Sequence, residues 1–430
     1  MDNISITPSN QNSNAKVSYR NGQNILSFHI GSQDRMILPD KVRLCGELSI
    51  YKSDGVLATA GDKIMMNERL GIYSCISAII IKNGHGQTLE HLKSYNRFCG
   101  TRFQATQSVE EGMTIFNNES LEMPNYELFR KGVVEHGQAT GMSFCISLVS
   151  GLLSSSNPIP LSSTWGLNGI FIDVILNSDA DTLYHQDGTG ASISDAYYEW
   201  ENVKLIAEVL TPDEQTIQEI SSQKQQQLVY NSYTAYYTTI NSRNSVINFT
   251  LNLKNCISVF ANFIQSKMIN NRSYDGGATL YPLNKTGTPA VIQELVFTRG
   301  GVAYPQKYQI TTIQQGQEDT ALLVDPQVSQ TWLNAVSDWS DNHQKLQVST
   351  ANDIYDWDGE VDDNTIIDGG NCFGVGIRLS KYDNGVDFTN QTFGMNLTLD
   401  LTTDSPNSVF LFVKNKNMVL FDSTGLQVIS

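Results

Sequence analysis

Positive charge is scarce in this sequence of 430 residues. Lysine and arginine together number 28, against 44 aspartates and glutamates, which leaves a formal net charge of −16. Proteins that bind nucleic acid through its phosphates need clustered cations, and this balance supplies no overall cationic field. We therefore expect no direct or sequence-specific binding of nucleic acid.

Long apolar runs are also missing. The sequence has no stretch of roughly 18 apolar residues, the length that a membrane-spanning helix needs. Residues 1–24 lack the basic start and the apolar segment of a secretory signal. We predict no transmembrane segment and no export by that route, and we interpret the polar residues 1–23 as a flexible N-terminal arm.

Motifs of catalysis and metal binding are absent as well. The six cysteines include no C-x-x-C pair, the six histidines include no H-E-x-x-H, and neither a G-x-S-x-G elbow nor a P-loop occurs. Cys75 and Cys145 lie in apolar, strand-like runs, so we expect the cysteines to be reduced and packed as small hydrophobes. We predict no catalytic, cofactor-binding or metal-ligating residue and no cofactor.

One acidic segment leaves an alternative open. Its carboxylates are Asp353, Asp356, Asp358, Glu360, Asp362, Asp363 and Asp368. The run from Asp356 to Gly359 partly matches a calcium loop, but the alternating ligands, the glycine at the sixth position and the distal glutamate are not in register. A solvated acidic loop is favoured over a calcium site.

What is present favours an all-β protein. Charged residues are few, and the polar residues are largely Asn, Gln, Ser and Thr, a mixture that suits strands and turns better than helical bundles. A chain of this length tends to form more than one domain of about 100–200 residues.

An internal duplication is the most informative feature of the sequence. Three blocks recur in the same order. Residues 25–30 correspond to 246–251, and in the second copy Ile247, Phe249 and Leu251 alternate with polar residues, as on one face of a strand. Residues 71–84 correspond to 287–300, and both copies place an apolar strand before a glycine turn. The third block sets 144–148 and 165–168 against 373–377 and 393–396.

A further strand closes each half, at residues 197–210 and at 409–430. Alternation is generic among strands and chance could match any one block, but the shared order argues against chance. We predict two tandem antiparallel eight-stranded jelly-roll sandwiches, at residues 24–210 and 228–430. Thr211, Pro212 and Glu214 form a capping box that predicts a short linker helix over 211–227.

Long insertions fall at the same place in both halves. Residues 85–141 and 302–370 separate the second block from the third. We expect them to form long loops that contain small helices, one of them carrying Trp332, Val336 and Trp339 at helical spacing.

The pattern across nearly the whole chain resembles the double jelly-roll major capsid proteins of the adenovirus and tectivirus lineage. It is most similar to those of Polinton-like viruses, adinto-like viruses and virophages. Four groups of segments carry the resemblance: 28–30 with 38–40 and 48–50; 71–74 with 89–90 and 95–97; 150–153 with 159–161; and 300–305.

This resemblance implies a structural protein and not an enzyme. The implied partners are two further copies in a homotrimer that forms a pseudo-hexameric capsomer, then neighbouring capsomers, penton proteins and minor capsid proteins. The implied location is the capsid of an icosahedral DNA virus, assembled inside the host cell. The alternative is a two-domain β-sandwich spike that binds carbohydrate or a receptor, and a β-scaffold glycosidase stays a third possibility, because its two acids can lie on any strands.

Overall fold

The computed structural model describes most of both halves of the chain. The described residues are 2–11, 15–59, 62, 64–66, 70–106, 142–155, 157–185, 194–222, 225–242, 244–266, 269–272, 290–303, 375–379, 385–401, 407–422 and 425–429. The predicted helix around Trp332 and the acidic segment around Asp356 lie outside them.

Antiparallel strands form the first half. They are β1 (Asp2–Ile6), β2 (Ile25–Ile30), β3 (Met36–Ile37), β4 (Arg43–Tyr51), β5 (Ile64–Met65), β6 (Ile76–Asn83), β7 (Thr88–Lys93), β8 (Met142–Ser147), β9 (Ile159–Pro160), β10 (Ile170–Leu176), β11 (Tyr184–His185) and β12 (Tyr197–Leu210). The helices are α1 (Tyr95–Thr106), α2 (Asp179–Thr182) and, after β12, α3 (Glu214–Ser222).

Antiparallel strands also form the second half. Its strands are β13 (Gln225–Ile240), β14 (Asn244–Thr250), β15 (Cys256–Gln265), β16 (Ala290–Arg299), β17 (Val302–Ala303), β18 (Val375–Arg378), β19 (Thr392–Leu401), β20 (Asn407–Asp422) and β21 (Gly425–Ile429).

Each half is a sandwich of two sheets. In the first half β8, β4, β12 and β1 lie side by side in one sheet, and β2, β10, β6 and β7 form the other. In the second half β13, β20, β15 and β18 form one sheet, and β14, β19, β16 and β17 form the other. If β3, β5, β9, β11 and β21 are set aside, the strands are connected in the same order in both halves, which is the jelly-roll arrangement. The predicted fold class is therefore confirmed.

The repeated blocks occupy equivalent strands. The first block falls on β2 and β14, the second on β6 and β16, and the third on β8 and β18, followed by β10 and β19. One detail differs from the sequence alignment. Phe393 and Gly394 lie inside β19, whereas Trp165 and Gly166 precede β10.

Three boundary predictions need correction. The predicted flexible arm, residues 1–23, contains strand β1, because the alternating Ile4 and Ile6 extend the first sheet beside β12. The linker helix is shorter than 211–227: Asp213, and not Thr211, caps it by accepting the Thr216 N–H at 2.7 Å. The last predicted strand, 409–430, is a hairpin of β20 and β21. The division into domains at 24–210 and 228–430 stays a prediction.

Two of the six cysteines lie opposite each other in neighbouring strands. Cys45 of β4 is paired directly with Cys145 of β8, and their sulfur atoms are in contact. That the cysteines are reduced stays a prediction. Cys75, Cys99 and Cys256 are buried, as small hydrophobic residues are.

One strand contributes to two hydrophobic cores. In β20, Val409, Leu411 and Val413 face the interior of the second sandwich. Phe410 and Phe412 alternate with them and pack into the core of the first sandwich. Successive side chains of a strand point to opposite faces, so this sheet is buried on both sides.

Candidate functional site

The structure directs attention to the contact between the two sandwiches. Among the described residues no group of His, Cys, Asp and Glu side chains is placed to hold a metal ion. No helix within the described ranges is long and apolar enough to cross a membrane. Buried polar and aromatic residues concentrate instead where β7, α1, α2 and residues 148–154 of the first sandwich meet β13, β15, β20 and residues 269–272 of the second. We call this contact the joint.

Glu90 is the central polar residue of the joint. It lies on β7, is 2% exposed, and accepts three backbone hydrogen bonds. Its Oε1 accepts from Gly151 N at 3.1 Å and from Tyr233 N at 2.9 Å, and its Oε2 accepts from Leu152 N at 3.1 Å. One carboxyl group thus connects two segments of the first sandwich to a strand of the second.

Burial controls the ionisation of Glu90. Desolvation raises the pKa of this carboxyl above its ordinary value, and the three N–H donors act in the opposite direction. Beside it, the Tyr230 hydroxyl donates to Leu89 O at 2.8 Å, a second hydrogen bond between β13 and β7. The Glu90 carboxyl and the Tyr230 hydroxyl thus both have partners, as buried polar groups usually do.

Aromatic rings fill the space next to these hydrogen bonds. Phe98 of α1 lies with its ring centroid 4.8 Å from that of Tyr233 and 5.6 Å from that of Phe412. All three side chains are buried. Burial of such rings stabilises a contact by a few kcal/mol each, so α1 holds the second sandwich against the first.

A buried ion pair lies at another part of the joint. Arg97 Nη2 is 3.1 Å from Asp181 Oδ1, with side-chain exposures of 4% and 10%. The Arg97 guanidinium also lies over the ring of Phe410, 4.6 Å from its centroid. From the second sandwich, Asn270 donates its N–H to Asp181 at 3.4 Å and accepts from the Ser178 hydroxyl at 2.7 Å.

A second charged group lies near the start of β12. Arg272 donates from Nη1 to Ala196 O at 2.7 Å, and burial lowers its pKa. Burial also raises the pKa of Asp179 to about 6, although the Tyr198 N–H and the cations Arg272 and Arg20 favour its charged form. The second sandwich is therefore tied to the first by cations as well as by aromatic rings.

Gly151 permits the close approach of the two sandwiches at the joint. A Cβ atom at this position would lie 2.2 Å from Asn231 O and 2.8 Å from Ser232 N, both backbone atoms of β13. Backbone cannot rotate aside as a side chain can. Only glycine therefore fits between Glu90 and β13 without a shift of one strand.

We expect Gly151→Ala to lower the free energy of unfolding by about 1–3 kcal/mol, the usual cost of overpacking. The added methyl group pushes β13 away from β7 and lengthens the hydrogen bond from Tyr233 to Glu90. Urea denaturation measures the first effect and hydrogen exchange at the Tyr233 amide the second. Gly31→Ala is the matched control, because Gly31 is exposed, a Cβ there meets no atom within 4 Å, and its φ is not positive. Unchanged exchange at Tyr233 would contradict the assignment.

Sequence reasoning found the segments of the joint but not their roles. Residues 89–90, 95–97 and 150–153 carry the resemblance stated above, and the structure brings all three together. Asp181, Asn270 and Arg272 were missed. Glu90 stands between Leu89 and His91 in β7, and no pattern in the sequence marks it as buried, because a lone carboxylate in a strand usually faces solvent. Of the described histidines, exposed His29 stacks on Phe171, and none belongs to a group placed to hold a metal ion.

Comparison with solved structures identifies proteins with this arrangement. The Faustovirus major capsid protein has a TM-score of 0.60 and 8% identity over 97% of this chain and 90% of that chain. PBCV-1 VP54, as fitted into a reconstruction of the virophage Sputnik, has a TM-score of 0.58 and 10% identity over 100% and 96% of the two chains. A cryo-EM structure of the Sputnik virophage has a TM-score of 0.58 and 12% identity, over 100% of this chain and 88% of that chain.

No protein-family model and no curated protein matches the sequence. Identities near 10% show the fold alone, and the fold is that of double jelly-roll major capsid proteins over the full chain. The resemblance seen in the sequence is confirmed at this level.

Proposed function

We propose that this chain is a major capsid protein, the structural subunit of an icosahedral virus shell, and that it is located in the virion. The observation that carries the proposal is the joint: two sandwiches of the same strand order are held in one orientation by buried groups on both sides. An enzyme needs a site that substrate can reach, whereas Glu90, Tyr233 and Arg97 at the centre of the joint are buried.

The duplication has a direct use in such a shell. Three copies related by a three-fold axis place six similar sandwiches in a ring, so the trimer fits a position of near six-fold symmetry. The joint then fixes the angle between the two sandwiches of each copy. We infer that the partners are two further copies in a homotrimer and, beyond it, neighbouring capsomers, penton proteins and minor capsid proteins.

Light scattering tests the first step of assembly. We expect the purified protein at micromolar concentration to have three times the mass of the chain, and negative-stain electron microscopy to show hexagonal particles or arrays. A monomer at that concentration would contradict the proposal. Retention of a specific sugar on a glycan array by the monomer would favour the spike instead.

A further inference from the structure

Two cysteine side chains lie side by side on the outward face of the first sandwich. Cys45 of β4 is paired directly with Cys145 of β8, and their sulfur atoms are in contact. Their neighbours along the strands, Leu44 and Phe144, belong to the core. Because successive side chains of a strand alternate between its two faces, both thiols lie on the face of the sheet that points away from the core.

The pair is within reach of a small molecule from solvent. Cys145 is half-buried, and β8 is the last strand on its side of the sheet among the described strands. Cys45 is 7% exposed. A reagent in solution therefore meets the Cys145 thiol first, and the Cys45 thiol lies one strand further in.

A cation lies beside the pair. Lys204 of β12 is opposite Cys45 on the other side of β4, so Lys204, Cys45 and Cys145 form one row across three strands on the same face. A neighbouring ammonium group stabilises a thiolate, and the thiolate is the form that reacts with a disulfide. The row thus favours the reactive form of the two cysteines.

The other described cysteines differ in both respects. Cys75, Cys99 and Cys256 are each 0% exposed. Burial raises the pKa of the Cys75 thiol, and it raises the pKa of the Cys256 thiol to about 12. A thiol of this kind stays protonated and out of reach of a reagent, so reactivity among the described cysteines is concentrated at Cys45 and Cys145.

The strand order itself does not require a thiol pair at this place. β15 and β18 are the equivalent strands of the second sandwich, and none of the four described residue pairs between them joins two cysteines. The pair is therefore a feature of the first sandwich and not of the shared fold.

We propose that Cys45 and Cys145 are a redox-sensitive modification site, a dithiol in a reducing compartment and a disulfide in an oxidising one. The oxidant is a small disulfide such as oxidised glutathione. The Cys145 thiolate attacks one sulfur of the oxidant and releases one reduced glutathione, and the Cys45 thiolate then attacks the Cys145 sulfur and displaces the second. Two protein thiols are oxidised, one glutathione disulfide is reduced, and the two thiol protons end on the two glutathione molecules.

A change of compartment gives the site its use, and this step rests on the proposed function. A capsid protein is assembled inside the cell, where thiols are kept reduced, and the released particle meets an oxidising medium. A bond between residues 100 positions apart restricts the unfolded chain, and it also fastens the edge strand β8 to β4. The subunit is thus assembled without the bond and is stabilised by it after release.

Counting thiols tests the chemistry. The full chain is equilibrated with reduced or with oxidised glutathione, quenched in acid, unfolded and labelled with N-ethylmaleimide. We expect all six cysteines to be labelled after the reducing buffer and two fewer after the oxidising buffer, with peptide mapping placing the bond between Cys45 and Cys145. The oxidised form should melt about 5 °C or more above the reduced form. Labelling of all six cysteines after both buffers would overturn the inference.

Single variants separate this site from the other cysteines. After oxidation, Cys45→Ser should retain one glutathione on Cys145 and should lose the difference in melting temperature. Cys256→Ala is the control and should still lose two labels. Light scattering is read separately: a trimer that never forms the bond overturns this inference and leaves the proposed function in place. A monomer that forms the bond supports the chemistry and overturns the proposed function.

Discussion

Glu90→Ala is expected to lower the free energy of unfolding by about 3–5 kcal/mol. The carboxyl is 2% exposed and is the acceptor for three backbone N–H groups, those of Gly151, Leu152 and Tyr233. Alanine leaves these donors buried without an acceptor, and each such group costs about 1–3 kcal/mol. Urea denaturation gives the free energy, and hydrogen exchange locates the loss at the joint.

Glu219→Ala is the control for this variant. Glu219 is exposed on α3, and its loss should change stability by less than about 0.5 kcal/mol. A Glu90→Ala protein as stable as this control would mean that the joint does not depend on the carboxyl.

Glu90→Gln separates the charge of residue 90 from its shape. Because burial raises the pKa of Glu90, the folded protein holds a proton that the unfolded chain releases near pH 4.5. The stabilising contribution of that proton is complete below the unfolded pKa and is lost as pH rises through the folded pKa. We therefore expect the wild type to gain stability relative to Glu90→Gln as pH is lowered from 7 towards 5. Parallel curves for the two proteins would exclude this role of the charge.

Breaking the buried ion pair should have an effect of similar size. Arg97→Met leaves Asp181 charged and nearly inaccessible to solvent, which costs about 3–5 kcal/mol in buried pairs. The double variant Arg97→Met, Asp181→Asn should be less destabilised than the sum of the two single variants, since neither partner is then left charged and buried. Thermal or urea unfolding of the four proteins completes the cycle.

The pair Lys82 and Asp173 provides the comparison for this cycle. Their atoms are closer, at 2.7 Å, but the side chains are 34% and 14% exposed. Water screens such a pair, and its coupling energy should be below about 1 kcal/mol. Equal coupling energies for the two pairs would show that burial at the joint does not strengthen the Arg97–Asp181 ion pair.

The sandwiches could be predicted from sequence because their signal is local. Alternating residues such as Ile247, Phe249 and Leu251 identify a strand within seven positions, and repetition of the blocks identifies the second copy. The boundaries of the strands were harder to predict from the sequence. The arm at residues 1–23 is polar enough to suggest disorder, yet Ile4 and Ile6 suffice for a strand once β12 offers an edge.

The joint could not be predicted, because its contacts are distant in sequence. Tyr233 N donates to a carboxyl 143 residues away, and Arg97 is 84 residues from Asp181. Phe410 and Phe412 have the same apolar character as Val409 and Leu411, so the pattern of β20 says that both faces are buried but not that a different sandwich covers one of them. The pairing of Cys45 with Cys145 depends likewise on a register between strands 100 residues apart.

The double burial of β20 has a consequence for biosynthesis. Residues 1–210 leave the ribosome well before residues 407–422 are made, so the first sandwich can fold during translation while Phe98 still lacks Phe412. The apolar surface around α1 then remains exposed to solvent until β20 has been synthesised. A nascent chain stalled between these points is the species that chaperones would hold, and premature termination there should yield aggregates instead of a folded half.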